Sequence, residues 1–398
     1  MSIETAGGVD RDRVHALLLA LAGRVPDDGL AMMRTFLADD DEADLAQFLA
    51  AVLESGRLAL TAVEERTAAD LLARHGVPVV PLGAELRLTA LPDPSARFTP
   101  VPDTTDETDE TDETGETGET DDGIADQVAI EAAGRLTGLR ALWRTWRAVP
   151  DSTATNLDPF RGEFPDDDQT RPARIYLAET DPAPDPETDP ETDPETNSGS
   201  DPSAQPSAHP NPDPVELTAE LQQWLAEVGE EPPRVEVFGP HQDLPPYHEA
   251  ALAGAVLLWT TEPVTPVRLA RVFDGADAVT GPFFHPDHPR AEDTDRDALL
   301  AYLCDAEPVL RTPGTMLDVL DADRGAVVPM TFRSDGVWVW PETVAYYLRE
   351  HGLAPDPALI EHIRSAGGPP ASLDRLSHHR VMAALARPVP ETPAWRVD

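Results

Sequence analysis

Apolar residues recur with helical spacing through the first 75 residues of this 398-residue chain. One stripe has the i, i+3, i+4, i+7, i+8 spacing of a helix that buries one face; its members are Leu45, Phe48, Leu49, Val52 and Leu53. Thr61 and Glu64 have the spacing of a capping box, which predicts a helix that begins there and reaches Arg74. Gly76 is suited to end that helix. The pattern therefore predicts a helical module over residues 10–75.

Residues 77–91 then change to short apolar runs on either side of a Pro-Leu-Gly turn, a pattern that predicts a β-hairpin. Several helices followed by a hairpin form the outline of a winged-helix domain, a class that binds DNA. Residues 1–100 hold 9 arginines against 16 acidic residues, without a basic stripe on the helix that ends at Arg74. DNA binding requires a basic surface, so we expect a plain helical module and keep the winged-helix regulator as an alternative.

Residues 124–149 are predicted to form the longest helix, which Pro150 would end. Its apolar face would hold Val128, Ala132, Leu136, Leu139, Trp143 and Trp146. Arg140, Arg144 and Arg147 follow at i, i+4 and i+7 beside that face. We expect these arginines to be solvated or paired with carboxylates. The alternative is a basic site for an anion or an acidic partner.

The rest of the chain alternates short strands with helices. Strands are predicted at residues 174–178, 234–239 and 254–261, the last of them central in a sheet because it is apolar throughout. Amphipathic spacing predicts a helix over 215–228. Shorter helices are predicted near residues 296–303, 356–365 and 372–386.

The clearest signal is a second hairpin over residues 325–340, where two apolar runs flank Ser334-Asp335-Gly336. Glycine supplies the positive φ that such a turn needs. A helix over 342–351 is expected to pack across it and to end at Gly352. Trp338 and Trp340 share one face of the second arm. We expect them in the core; the alternative is an exposed anchor for a partner.

Two acidic repeats divide these segments, TDETDETDETGETGETDD from residue 105 and DPETDPETDPET from residue 185. Such sequence cannot bury a core, so we expect it to be disordered. The predicted fold class is α+β. The predicted organisation is a helical module with a hairpin (1–100), an acidic linker (101–123) and an α+β domain (124–177 with 215–398) interrupted by an acidic, proline-rich insertion (178–214).

The net charge of −44 narrows the choice of partners. Residues 101–123 carry −11 and residues 178–214 carry −10 of it, and the two larger remaining segments, 1–100 and 215–398, are acidic as well. Such a surface repels phosphate backbones and anionic lipids, so neither nucleic acid nor membrane is an expected partner. The apolar run near the N-terminus is short and amphipathic, so it is not read as a signal peptide. We therefore expect a cytoplasmic protein.

Candidate chemistry is sparse. His285, Asp287 and His288 form the densest set of potential metal ligands, which keeps a metal-dependent hydrolase as an alternative function. Three prolines place this set in a rigid loop, however, so we expect a polar surface loop, no metal and no cofactor. The adjacent His248 and Glu249 would not face each other on a helix. Cys304, the single cysteine, is expected to be a small core residue.

The segment GAVVPMTFRSDGVWVWPETVAYYLREHGLAP, within residues 299–365, resembles segments of uncharacterised actinobacterial proteins, some of them near toxin–immunity systems. The shared motif is structural, a hairpin followed by a helix, and brings no active-site residues. The resemblance and the acidic composition together imply a non-enzymatic protein-binding or regulatory role, with neutralisation of a basic partner as its sharpest form.

Overall fold

The computed structural model of the chain describes residues 4–54, 58, 60–78, 97–101, 122–148, 172–182, 213–277 and 279–387. The predicted α+β class is confirmed, with helices and mixed sheets distributed over two units, Met1–Glu262 and Pro263–Asp398. The acidic repeats at 105–121 and 185–196 lie outside the described residues. So does the hairpin predicted for 77–91, apart from Val77 and Pro78.

The first unit begins with helices, as predicted for residues 10–75, and the structure describes four there: α1 (Glu4–Leu21), α2 (Asp27–Ala38), α3 (Glu42–Glu54) and α4 (Ala62–Arg74). The capping box is present, because Thr61 Oγ1 accepts from the Glu64 backbone N–H and Glu64 Oε2 accepts from the Thr61 N–H at 3.0 Å. Gly76 follows α4 with a φ of 67°. These local signals are sufficient to fix the ends of α4.

The five strands that the structure describes in the first unit form one sheet: β1 (Phe98–Thr99), β2 (Leu139–Arg147), β3 (Ala173–Thr180), β4 (Val235–Phe238) and β5 (Val256–Thr260). β2 pairs antiparallel with β3, and β3 pairs parallel with β4. On its other side β2 pairs with β1 and β5. The prediction that β5 is central is therefore wrong: among the described strands it pairs only with β2, and it is partly exposed along its length.

The prediction of one long helix over residues 124–149 is also wrong. Helix α5 (Asp122–Arg135) ends before Gly138, whose φ is 96°, and the chain then enters β2. The mistake has a physical cause: residues four apart share a face both on a helix and on a strand, so the spacing of Arg140 and Arg144 fits either. β2 is buried on both faces, which removes the alternation that would have marked it as a strand.

Helices cover both faces of this sheet. On one face, α5 and α6 (Pro214–Ala226) pack on Val235 and Val237 of β4. The opposite face of β4 carries Glu236 and Phe238. It meets α7 (Pro246–Ala253) and side chains of α1 and α2. The four N-terminal helices thus belong with the sheet, and the two units separate after Glu262, not at the predicted boundary near residue 100.

The second unit contains helices α8 (Asp293–Asp305), α9 (Thr343–His351), α10 (Pro357–Ala366) and α11 (Arg375–Ala386), all near their predicted positions. Its four-stranded sheet has the order β6 (Arg268–Leu269), β13 (Trp338–Pro341), β12 (Phe332–Ser334), β9 (Glu307–Leu310). Two two-stranded ribbons complete it, β7 (Gly275–Asp277) with β8 (Gly281–Phe283), and β10 (Thr315–Leu317) with β11 (Ala326–Pro329). One hydrophobic cluster joins α8, α9 and α10 to β13.

The predicted second hairpin is present in its turn and its second arm. β12 and β13 pair antiparallel on either side of Asp335-Gly336, and Asp335 Oδ1 accepts from the backbone N–H groups of Val337 and Trp338. The first arm differs from the prediction, because residues 326–329 pair with β10 instead of continuing into β12. Helix α9 packs on β13 as expected and ends at Gly352, whose φ is 68°.

Gly336→Val is expected to lower the free energy of unfolding by about 1–3 kcal/mol. The φ of Gly336 is 89°, and a Cβ atom there would meet Leu373 Cδ2 at 3.3 Å. Gly314→Val is the matched control, because that φ lies outside the left-handed region and no atom lies within 4 Å of its Cβ position. Urea denaturation of both variants measures the effect. Equal stability of the two would contradict the proposed turn strain.

Candidate functional site

The structure does not bring the candidate metal ligands His285, Asp287 and His288 together at one site. His288 Nδ1 bonds to the Asp274 carboxylate at 2.9 Å and its Nε2 bonds to the Ala354 carbonyl at 3.0 Å, so both ring nitrogens have protein partners. His285 and Asp287 are exposed. Within the described residues, no group of three or more His, Cys, Asp or Glu could hold a metal ion. His288 fixes a loop instead.

The predicted arginine stripe is divided among separate ion pairs. Arg140 bonds to Glu179 at 3.0 Å and also to Glu262. Arg144 lies 3.4 Å from Asp126 of α5, on one side of the sheet. Arg147 bonds to Asp27 at the start of α2, on the other side. These three residues therefore do not form a common basic surface. Each arginine instead forms an ion pair between the sheet and a neighbouring segment.

Trp338 and Trp340 are both buried, as the core interpretation predicted. Trp340 is 0 % exposed, and its Nε1–H donates to the Leu303 carbonyl at 3.1 Å. Val337, at the turn, is 42 % exposed. Neither indole is available as a surface anchor. Cys304 is partly buried against the same cluster, with Arg349 Nη2 3.1 Å from its sulfur.

A group of buried ionisable side chains lies in the first unit, where three helices meet β4. Glu236 accepts from Arg34 of α2 and from His248 Nε2 of α7, the latter at 2.9 Å. His15 of α1 donates from Nε2 to the Val237 carbonyl at 2.8 Å. These side chains are 0–4 % exposed. We call Glu236, Arg34, His248 and His15 the Glu236 network.

Burial and the neighbouring charges together set the pKa values of Glu236 and His15. Burial alone would raise the pKa of Glu236, but the Arg34 guanidinium and the hydrogen bond from His248 outweigh it and hold that pKa below its usual range. Burial lowers the pKa of His15 to about 4, and the nearby Arg34 cation adds to the effect. Glu236 is therefore an anion and His15 a neutral imidazole at pH 7.

A second buried group lies beside the network. Asp27 accepts from Arg147 and Arg234, each with a contact of 2.6 Å, and Tyr247 OH accepts from Arg147 at 3.2 Å. Burial alone would raise the pKa of Asp27, but the two guanidiniums outweigh it and lower the pKa to about 2. Burial raises the pKa of Tyr247 to about 12. Asp27 thus joins the start of α2 to β2 and to the chain entering β4.

A narrow cleft separates the two groups, with space for about one water molecule. Its polar lining consists of Asp27, Arg34, Arg234, Glu236 and Tyr247. The ring of Tyr247 covers Gly23, whose absent side chain permits the contact because a Cβ atom would lie 2.4 Å from that ring. The cleft is too small for an organic substrate. Its charged groups act by holding the helices on the sheet.

The sequence contains signals for this network that the analysis of spacing missed. Glu236 interrupts the apolar strand RVEVF, and Arg34 lies on the apolar face of α2 between Leu30 and Leu37. A charge in such a position needs a buried partner. The spacing along the chain pairs His248 only with its neighbour Glu249, which is exposed. The actual partners are 12 and 202 residues apart in sequence, so spacing could not pair them.

In the second unit, two buried aspartates, Asp335 and Asp318, each accept hydrogen bonds from one tyrosine and one histidine. Asp335 Oδ2 accepts from Tyr302 OH at 2.7 Å and from His362 Nε2 at 2.6 Å. Asp318 Oδ2 accepts from Tyr346 OH at 2.9 Å and from His351 Nε2 at 2.7 Å. Each carboxylate also accepts from backbone N–H groups. These pairs hold α8, α9 and α10 to the adjoining turns.

No protein-family model, curated protein or solved structure matches this chain. Among the helices that the structure describes, none is long and apolar enough to cross a membrane.

Proposed function

We propose that this chain is a non-enzymatic cytoplasmic protein that binds a basic protein partner, in the manner of an immunity protein. The observation that carries the proposal is the distribution of charge in a chain of net charge −44. Arginines such as Arg34, Arg140, Arg147 and Arg234 pair with carboxylates inside the fold. The excess carboxylates therefore determine the field that a partner meets.

Two exposed groups of acids support this reading. The link between α2 and α3 and the first turn of α3 expose Asp39, Asp41 and Asp44. In the second unit, the loop before α8 and the helix itself expose Asp287, Glu292, Asp293 and Asp297. Carboxylates at a binding surface accelerate association with a basic protein, and salt screens that effect.

The test is affinity capture from native lysate followed by kinetics on the purified partner. We expect a basic partner whose association rate constant falls at least about tenfold between 50 and 500 mM salt. Two charge-neutralised variants locate the surface. One replaces Asp39, Asp41 and Asp44 with asparagine; the other replaces Asp287, Asp293 and Asp297 with asparagine and Glu292 with glutamine. Only one of them is expected to reduce the rate strongly.

Other results would overturn the proposal. A partner that is neutral or acidic, or an association rate that does not respond to salt, would remove its electrostatic basis. Stoichiometric metal in the purified protein that disappears in His288→Ala would favour the metal-dependent hydrolase instead. Metal analysis of the wild-type protein and of that variant is therefore run beside the capture experiment.

A further inference from the structure

We propose that the narrow cleft between the Glu236 network and Asp27 is a binding site for one water molecule, which bridges Arg34, Tyr247 and Glu236. The cleft has space for about one water molecule, and a water buried in a protein needs about two to four polar partners. The three bridged side chains come from α2, α7 and β4, and each of them lines the cleft. The site therefore joins two helices to the sheet, in addition to the direct ion pairs.

Arg34 supplies the first polar partner. Its Nη2 donates to Glu236 Oε2, but its Nε–H is buried and has no hydrogen-bond partner in the part of the chain that the structure describes. The side chain is 3 % exposed, so bulk solvent does not satisfy this group. Buried donors without an acceptor are costly and rare in folded proteins. A small acceptor is therefore expected beside Nε, and the cleft provides the space for it.

Glu236 and Tyr247 supply an acceptor and a second donor. Arg34 and His248 both bond to Oε2 of Glu236, so Oε1 has no hydrogen-bond partner among the described residues. The hydroxyl of Tyr247 accepts from Arg147 at 3.2 Å, and its own proton is donated to no residue that the structure describes. The cleft lining thus contains two donors and one carboxylate oxygen that the protein leaves available.

This combination of donors and acceptor selects water over an ion. A halide ion can accept from both donors, but it cannot donate to Glu236, and the carboxylates of Glu236 and Asp27 repel it. A metal or ammonium cation cannot accept from Arg34, whose guanidinium repels it. A water molecule can accept from Arg34 and Tyr247 and donate to Glu236, and it adds no charge to the buried layer.

NMR of the full chain tests the site at the Nε–H proton of Arg34, after arginine-selective labelling with nitrogen-15. We expect a cross-peak between this proton and the water resonance, with opposite signs in laboratory-frame and rotating-frame experiments. Proton exchange gives the same sign in both and is thereby separated from a bound water. Tyr247→Phe removes the nearby hydroxyl, which can itself exchange with solvent, and the cross-peak should persist. A missing peak in the wild-type chain, or its loss in Tyr247→Phe, would overturn the proposal.

A matched pair of substitutions locates the water in the cleft. Ala22 lines the cleft and is 2 % exposed, so Ala22→Val fills the space with two methyl groups and should abolish the cross-peak. Ala68 of α4 is equally buried but does not line the cleft, and Ala68→Val should keep the peak. A peak of full intensity in Ala22→Val would place the water elsewhere and contradict the proposed site.

A further measurement uses only the wild-type chain, should Ala22→Val fail to fold. Chloride is titrated against gluconate at constant ionic strength while the Nε–H signal of Arg34 is followed. We expect no change, because a neutral ligand already accepts from this group. A shift that saturates with chloride would show that a halide ion occupies the cleft, and the water site would then be rejected.

Discussion

Glu236→Ala is expected to lower the free energy of unfolding of the first unit by about 3–5 kcal/mol. The substitution leaves the Arg34 guanidinium, 3 % exposed, without its carboxylate. It also removes the acceptor of His248 Nε2. An uncompensated buried charge costs far more than a lost surface pair. Urea denaturation followed by circular dichroism, with hydrogen exchange to assign the transition to a unit, measures the loss.

The charge explanation is separated from a packing explanation by a double-mutant cycle. Arg34→Met and Glu236→Leu should each be strongly destabilising, while the double variant should lose less than their sum, because neither charge is then left alone. The control is Asp295→Asn, whose pair with Arg364 has side chains 40 % and 57 % exposed. That change should cost about 0.5 kcal/mol or less. Strict additivity in the cycle would contradict the charge explanation.

Trp340→Ala is expected to lower the free energy of unfolding of the second unit by about 3–5 kcal/mol. The indole projects from β13 and is fully buried against α8 and α9. The substitution also removes the N–H group that donates to the Leu303 carbonyl. Such a site cannot collapse without moving two helices, so most of the cavity should remain. The same denaturation experiment measures the effect.

Val337→Ala is the matched control, because this residue lies three positions earlier and is 42 % exposed. Its substitution should change stability by about 0.5 kcal/mol. The pair of variants also tests the earlier alternative that the tryptophans bind a partner. A stable Trp340→Ala protein that loses only partner binding would contradict the buried position.

Most helices were predictable because residues close to their ends in sequence carry capping signals. α4 has a capping box, α9 ends at a left-handed glycine, and α6 begins with the Asp213 side chain accepting from the Val215 N–H. Each signal lies within a few residues of the helix end that it sets. The hairpin turn at Asp335-Gly336 was predictable for the same reason, since only its own backbone requires the positive φ.

Elements that depend on distant partners were not predictable in this way. β2 carries apolar residues on both faces because helices cover both sides of its sheet, and the sequence pattern alone could not distinguish it from a helix. β5 is as apolar as a central strand yet pairs only with β2 among the described strands. Strand position depends on which segments pair, and pairing is a long-range property.

The sequence by itself determined the α+β class, the helical character of residues 10–75, the α9–α11 helices and the turn at Asp335-Gly336, because periodicity and capping are local. Only the tertiary structure decided that Arg34, His248 and His15 gather at β4, that Arg147 pairs with Asp27, and that His288 is fixed by Asp274. The physical reason is common to these contacts. A buried charge requires a partner, but the fold, not the spacing along the chain, determines which residue supplies it.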